Sequence, residues 1–320
     1  MVRAAPPRRV AVLGGTGLLG AEIARAYLRL GCEVTVLARH RPQAQRAQWL
    51  RAARLVLGPA EDESVVTEAL RGADHVVHAV GAPYPAENED PLGHHIYVMA
   101  TLAHLLEALR RRPGVGFTFL SSGGAVYGDD CPLPVPEDTA CAPVSAYGAT
   151  KLAAEGFVTL YAARHGVPSR ILRVANAYGS PGPDDAGRGV VEQFLAAART
   201  GGTAFVFGDG SAVRDHIAAP DVAHAAVMLS LQPGGPVVVN VGSGVGTSVT
   251  EVLETVQSVT GRRLAVEWLA ARPGDVTSVY LDTRRLATLT RWEPASLSEG
   301  VGATWEAWQR AAPSVAVGTR

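Results

Sequence analysis

Val10-Ala-Val-Leu13 runs directly into Gly14-Gly15-Thr16-Gly17-Leu18-Leu19-Gly20, and an amphipathic stretch continues to Leu30. A short apolar run, a glycine-rich turn and a helix start, in that order, open a βαβ unit. Glycine permits positive φ and close approach of the backbone to a ligand, while N–H groups at a helix start face an anion. The stretch therefore predicts a pyrophosphate cradle, with Gly14, Thr16, Gly17, Leu18, Leu19 and Gly20 against a bound dinucleotide. Its spacing is G-x-x-G-x-x-G, not G-x-G-x-x-G.

Outward from this turn, β-branched runs alternate with helix-length segments. Strands are predicted at 10–13, 33–37, 55–57, 75–79, 117–120 and 171–174, and helices at 18–30, 63–70, 96–111 and 146–165. This alternation specifies a parallel sheet covered on both faces, a Rossmann-type doubly wound α/β fold. Regularity weakens near Pro181, and 179–189 reads as an irregular excursion. Helices at 221–231, 249–260 and 297–309 and a strand at 237–241 follow, the last helix carrying tryptophans that read as core. The expected division is a dinucleotide-binding domain of residues 1–178 with 216–262, and a smaller C-terminal substrate-binding lobe of 179–215 with 263–320.

With 47% hydrophobic and 18% charged residues in 320, disorder is excluded. A net charge of -1 argues against nucleic-acid or membrane-surface binding. Cys32, Cys131 and Cys141 form no C-x-x-C pair and no Cys/His ligand spacing, which speaks against a disulfide framework or a metal site. The arginines before Val10 lead at once into glycines instead of a signal-peptide apolar core, and no apolar run is long enough to span a membrane. A cytoplasmic protein is expected.

The second predicted strand ends Val36-Leu37-Ala38-Arg39-His40-Arg41. An NAD binder commonly carries a carboxylate there for the adenosine ribose. Here no acid is present, and Arg39 with Arg41 offers donors suited to a 2′-phosphate. NADP(H) is accordingly expected over NAD(H), which stays possible.

Of 29 basic residues a single one, Lys151, is lysine. It follows Tyr147 by one helical turn in Tyr147-Gly-Ala-Thr-Lys151, so both side chains share a face. Free tyrosine, with a pKa of about 10, is a poor acid or base at neutral pH. A cation about 4 Å away at an effective dielectric of ~20 stabilises the phenolate by roughly 4 kcal/mol. Tyr147 can then exchange a proton with a substrate oxygen while hydride moves at a nicotinamide. The compact ammonium can also donate to ribose hydroxyls, where guanidinium is too wide.

These motifs, with Ser121-Ser-Gly-Gly-Ala-Val-Tyr-Gly128 between them, resemble the extended short-chain dehydrogenase/reductases. More narrowly the chain is similar to the NAD-dependent epimerase/dehydratase family acting on nucleotide sugars. Arg173-Val-Ala-Asn-Ala-Tyr-Gly179, Phe207-Gly-Asp-Gly-Ser-Ala-Val-Arg-Asp215 and Arg272-Pro-Gly-Asp275 extend the match. The resemblance implies that Asn176, Arg214 and Arg272 meet a substrate diphosphate, Asp275 its ribose and Phe207 its base. It implies a cofactor contact at Val80 within His78-Ala-Val-Gly81, and a homodimer built through a four-helix contact. Core packing is the expectation for His75 and His78, while His94-His95 falls in a Pro-rich connection.

Departures from the family pattern carry information. Gly123 occupies the position of a Ser or Thr that contacts the reacting sugar oxygen, leaving Ser122, or less directly Ser121, to replace it. Pro59 and Ala60 stand where an acid usually follows the third strand. With Ala38, this removes two carboxylates from around the adenosine. The expected reaction is therefore NAD(P)H-dependent reduction of an NDP-4-keto sugar at C4, with Tyr147 as proton donor. The alternative is an NDP-sugar 4-epimerase with tightly held NAD. A dehydratase would need acids where Gly124-Ala125 stands, and a non-catalytic dinucleotide sensor would commonly lose the Tyr/Lys pair retained here.

Overall fold

The computed structural model describes residues 7–41, 48–81, 90–179, 189–232, 237–271 and 277–311. Its first half runs β1 (Arg9–Leu13), α1 (Leu18–Arg29), β2 (Glu33–Ala38), β3 (Arg54–Leu57), α2 (Glu63–Ala69), β4 (His75–His78), α3 (Pro91–Arg110), β5 (Gly116–Ser122), α4 (Ala146–His165) and β6 (Ser169–Val174). Then follow β7 (Asn176–Tyr178), α5 (Val190–Thr200), β8 (Thr203–Phe207), β9 (Val213–Ala218), α6 (Ala219–Ser230), β10 (Val237–Val241), β11 (Gly246–Ser248), α7 (Val249–Thr260), β12 (Ala265–Leu269), β13 (Ser278–Val279), α8 (Arg284–Thr290) and α9 (Leu297–Ala311).

Seven strands form one parallel sheet in the order β10-β6-β5-β4-β1-β2-β3. Strand order reverses between β1 and β4, and a crevice opens there beyond the carboxyl ends of the strands. The β-branched runs are buried on both faces because helices cover both. On one face Ile23, Ala24 and Tyr27 of α1 pack with Val222, Ala226 and Val227 of α6. On the other, Leu102, Leu105, Leu106 and Leu109 of α3 pack with Ala154 and Val158 of α4. His75 and His78 belong to the core as expected, their Nε2 atoms 3.0 Å from Thr118 Oγ1 and 3.2 Å from Thr101 Oγ1.

A smaller lobe carries a four-stranded sheet around β9, which pairs with β7, β11 and β13, and a parallel β8–β12 pair. Phe194, Val206, Val252 and Trp308 fill its core, so the terminal helix turns a tryptophan inward as expected. The weakened periodicity after Pro181 had concealed α5 and these short strands. Residues 180–188 lie outside the described set. Among the described residues no helix is long and apolar enough to cross a membrane.

One boundary moves functional residues. Helix α3 begins at Pro91, ahead of the expected Ile96, because Asp90 caps it by accepting the Gly93 N–H at 2.8 Å and proline suits a first helical position. His94 and His95 therefore stand on a helix, not in a connection.

Candidate active site

The glycine turn closes tightly over the end of β1. Gly14 has φ +74°, and a Cβ there would lie 2.6 Å from the Ala79 carbonyl oxygen. A Cβ on Gly15 would meet Val36 at 2.9 Å. Gly17 caps α1 without a side-chain hydrogen bond, so the first N–H groups of the helix are left for a ligand. The turn forms the floor of a cleft of about 580 Å³. Gly14, Thr16, Gly17, Leu18, Leu19, Gly20, Arg39, Val80, Tyr147 and Lys151 all line it. These sequence-predicted cofactor residues are thus gathered around one cleft, while Arg41 does not line it, and the glycine cradle fits a dinucleotide pyrophosphate.

At the other end of the cleft, Ser145 caps α4 by accepting the Gly148 N–H at 3.1 Å, and this sets Tyr147 in the first turn. Lys151 is buried one turn later, its Nζ donating to the Leu120 carbonyl at 3.0 Å. That Nζ lies 5.8 Å from the Tyr147 ring centroid and 5.2 Å from that of Phe119. Glu155, a further turn along the same face, is also buried. It accepts from Ser121 Oγ at 2.5 Å and forms a 2.7 Å ion pair with Arg173. Arg173 also donates to the Tyr127 hydroxyl at 3.0 Å. The face of α4 that carries Tyr147 and Lys151 is therefore tied to β5 and β6 through charged groups withdrawn from water. Glu155 went unread in the sequence, although its spacing from Lys151 repeats that of Lys151 from Tyr147.

A second cavity, of about 370 Å³, meets the cleft at Tyr147, Ser121, Leu19, Ala177 and Glu192. Ser122, Asn176, Tyr178 and His216 complete its polar wall. Because Ser121 donates to Glu155, Ser122 is the serine whose hydroxyl is left to this cavity. A physical reason for Gly123 is visible: its Cβ would lie 2.6 Å from Leu281 Cδ1 and 3.0 Å from the Arg173 carbonyl oxygen. At Gly124 a Cβ would meet the Asn176 side chain at 2.7 Å.

Two further histidines, not assigned from sequence, belong to this region. His94 is buried with its ring centroid 5.9 Å from that of Tyr147. Burial, then the charges of Lys151 and His95, lower its pKa. Burial and nearby Arg214 push His216 down to about 4, so it presents a neutral imidazole. Recognising the Asp90-Pro91 helix start would have brought His94 into view.

Arg214 and Phe207 line neither cavity. Arg214 is half-buried on β9 and donates to the Val213 carbonyl at 2.9 Å; Phe207 ends β8 opposite Leu269. Arg272 and Asp275 lie outside the described residues. Among the described residues no group of three His, Cys, Asp or Glu side chains could hold a metal ion.

A doubly wound sheet with a glycine cradle at its switch point and a Tyr/Lys pair at the cleft's far end defines an extended short-chain dehydrogenase/reductase. Within that class the chain belongs to the NAD-dependent epimerase/dehydratase family, whose model matches residues 10–242, and it is an enzyme. It is 32% identical over 302 residues to a UDP-glucose 4-epimerase of Corynebacterium glutamicum, covering 89% of this chain and 91% of that one. The UDP-glucose 4-epimerase of Thermus thermophilus, solved with NAD, superposes with a TM-score of 0.85 at 30% identity, covering 95% of this chain and all of that one (100%). MoeE5, solved with UDP-glucuronic acid and NAD, gives 0.84 at 25% identity, with 95% and 100% covered.

The expected preference for NADP(H) is overturned by the two solved relatives, both of which hold NAD. The structure supplies a reason the arginine misled. Arg39 is engaged within the cleft, its guanidinium lying over the Tyr97 ring with Cζ 4.9 Å from the centroid, so an arginine after β2 does not by itself mark a 2′-phosphate site.

Proposed function

We propose that this enzyme is an NDP-sugar 4-epimerase working with bound NAD, in place of the 4-keto-sugar reductase favoured by sequence. The observation that carries the reading is Tyr147 standing where the cofactor cleft and the second cavity meet. The relatives named as UDP-glucose 4-epimerases support the epimerase over the reductase. NAD, when bound, supplies a hydride acceptor that can return what it takes.

On this reading Tyr147 takes the proton from the C4 hydroxyl as hydride leaves C4, and gives a proton back to that oxygen when hydride returns to the opposite face of C4 after the keto sugar has turned. Lys151 stabilises the phenolate and holds the cofactor ribose. Ser122 hydrogen-bonds the reacting oxygen in place of the absent Ser or Thr. Asn176, Arg214 and Arg272 take the diphosphate, Asp275 the ribose and Phe207 the base. The cofactor unit is 1–178 with 216–262 and the sugar lobe 179–215 with 263–320. Exposed Leu92 and Ile96 on α3, with Phe157 and Leu160 on α4, suit a homodimer face.

Purification without added cofactor, followed by analysis of released nucleotide and incubation with UDP- and dTDP-linked hexoses, tests the reading. The expected result is inversion at C4 with no cofactor supplied beyond NAD. Consumption of reduced nicotinamide by a 4-keto sugar, with no inversion of hydroxyl substrates, overturns it.

A further inference from the structure

Among the described residues no acid lines the adenosine end of the cleft to accept ribose hydroxyls: Ala38 and Ala60 line it instead. The same wall carries Arg39, directly after β2, and Tyr97, from α3, in the stacked contact described above. The contact bridges the carboxyl end of β2 and α3. We propose that Arg39 and Tyr97 form an adenosine grip, a planar cation on an aromatic ring that holds the adenosine diphosphate half of NAD in place of the missing carboxylates.

The chemistry of both groups suits that ligand. A guanidinium and a phenol ring each stack on a purine face, and the guanidinium charge attracts the diphosphate. Two carboxylates would have held the ribose by short hydrogen bonds with little sensitivity to salt beyond the first contact. Arg39 is exposed, so its attraction to the diphosphate is screened as ionic strength rises. The grip thus makes cofactor retention dependent on salt. This inference rests on the reading of NAD as the cofactor, and binding measurements separate the two.

The test is calorimetric titration of cofactor-stripped protein with NAD and with ADP-ribose at low and high sodium chloride. It uses the wild type, Arg39→Ala, Arg39→Lys, Tyr97→Leu and Tyr97→Phe, with thermal melts confirming that each variant is folded. Arg39→Ala is expected to weaken both ligands by the same factor, about tenfold at low salt, and to flatten the salt dependence. Arg39→Lys keeps the salt dependence but not the full affinity, and Tyr97→Leu loses more than Tyr97→Phe. Unchanged ADP-ribose affinity in folded Arg39→Ala, or an unchanged salt slope, overturns the grip while leaving NAD as cofactor intact. A wild type that binds neither ligand overturns the cofactor reading and the grip together.

Discussion

The two ends of the cofactor cleft are built in opposite ways. At the Tyr147 end, Lys151, Ser121, Glu155 and Arg173 are all buried and locked to one another or to backbone. At the Arg39 end, an exposed guanidinium rests on a half-buried ring, and Ala38 and Ala60 line the wall beside it. Charged groups in low dielectric interact strongly and hold their geometry, whereas exposed ones are screened and mobile. On the proposed reading, proton transfer sits at the rigid end and the adenosine grip at the soft one.

Removal of the reacting group should give the largest effect. Tyr147→Phe is expected to lower turnover by roughly a thousandfold or more, since general acid–base catalysis is lost, with NAD affinity unchanged. A turnover within a few-fold of wild type, measured on a UDP-hexose, would move the proton transfer elsewhere. Next is the network behind it. Glu155→Ala leaves Arg173 charged and buried without its carboxylate and Ser121 without its acceptor, at a cost of about 3–5 kcal/mol by denaturant unfolding. Equal stability of variant and wild type would mean that the rigid end is rigid for another reason.

Lys151→Arg conserves charge but not shape. The buried ammonium fits between Leu120 O, Phe119 and Tyr147, and a guanidinium is wider, planar and differently forked. Turnover is expected to fall about a hundredfold, in line with the loss of a tuned acid–base partner. Near-normal kinetics would show that the single lysine of this arginine-rich chain is incidental. The corresponding change at the soft end, Arg39→Lys, should alter affinity with far less effect on turnover.

The same contrast explains what could be read from sequence. The glycine turn, the Tyr147-Lys151 spacing and helices such as Ala146–His165 and Val249–Thr260 are local patterns, and the structure has them at those residues. The short strands β7, β9, β11 and β13 draw their order from pairing with distant partners, so periodicity carried almost no trace of them. Arg39 was legible as a cofactor-cleft residue, yet its contact with Tyr97 depends on how α3 crosses the cleft. Read alone, it pointed to a 2′-phosphate.

Gly123 gives the smallest and most particular test, because here the rigid end excludes a side chain that the family usually has. A serine Cβ would be forced against Leu281 Cδ1 and the Arg173 carbonyl oxygen. The carbonyl belongs to β6, which is paired on both sides by β10 and β5, and Leu281 is fully packed in the core, so neither can yield freely. Gly123→Ser should therefore cost about 1–3 kcal/mol of stability, as overpacking does, and bring no gain in turnover although it restores the family hydroxyl. Adding Leu281→Ala to Gly123→Ser makes room for the new side chain, so the double variant should lose less than the sum of the two single losses, a coupling read from thermal melts. If Gly123→Ser alone were as stable as wild type and faster, the space would already exist, and Ser122 would not be needed as the substitute hydroxyl.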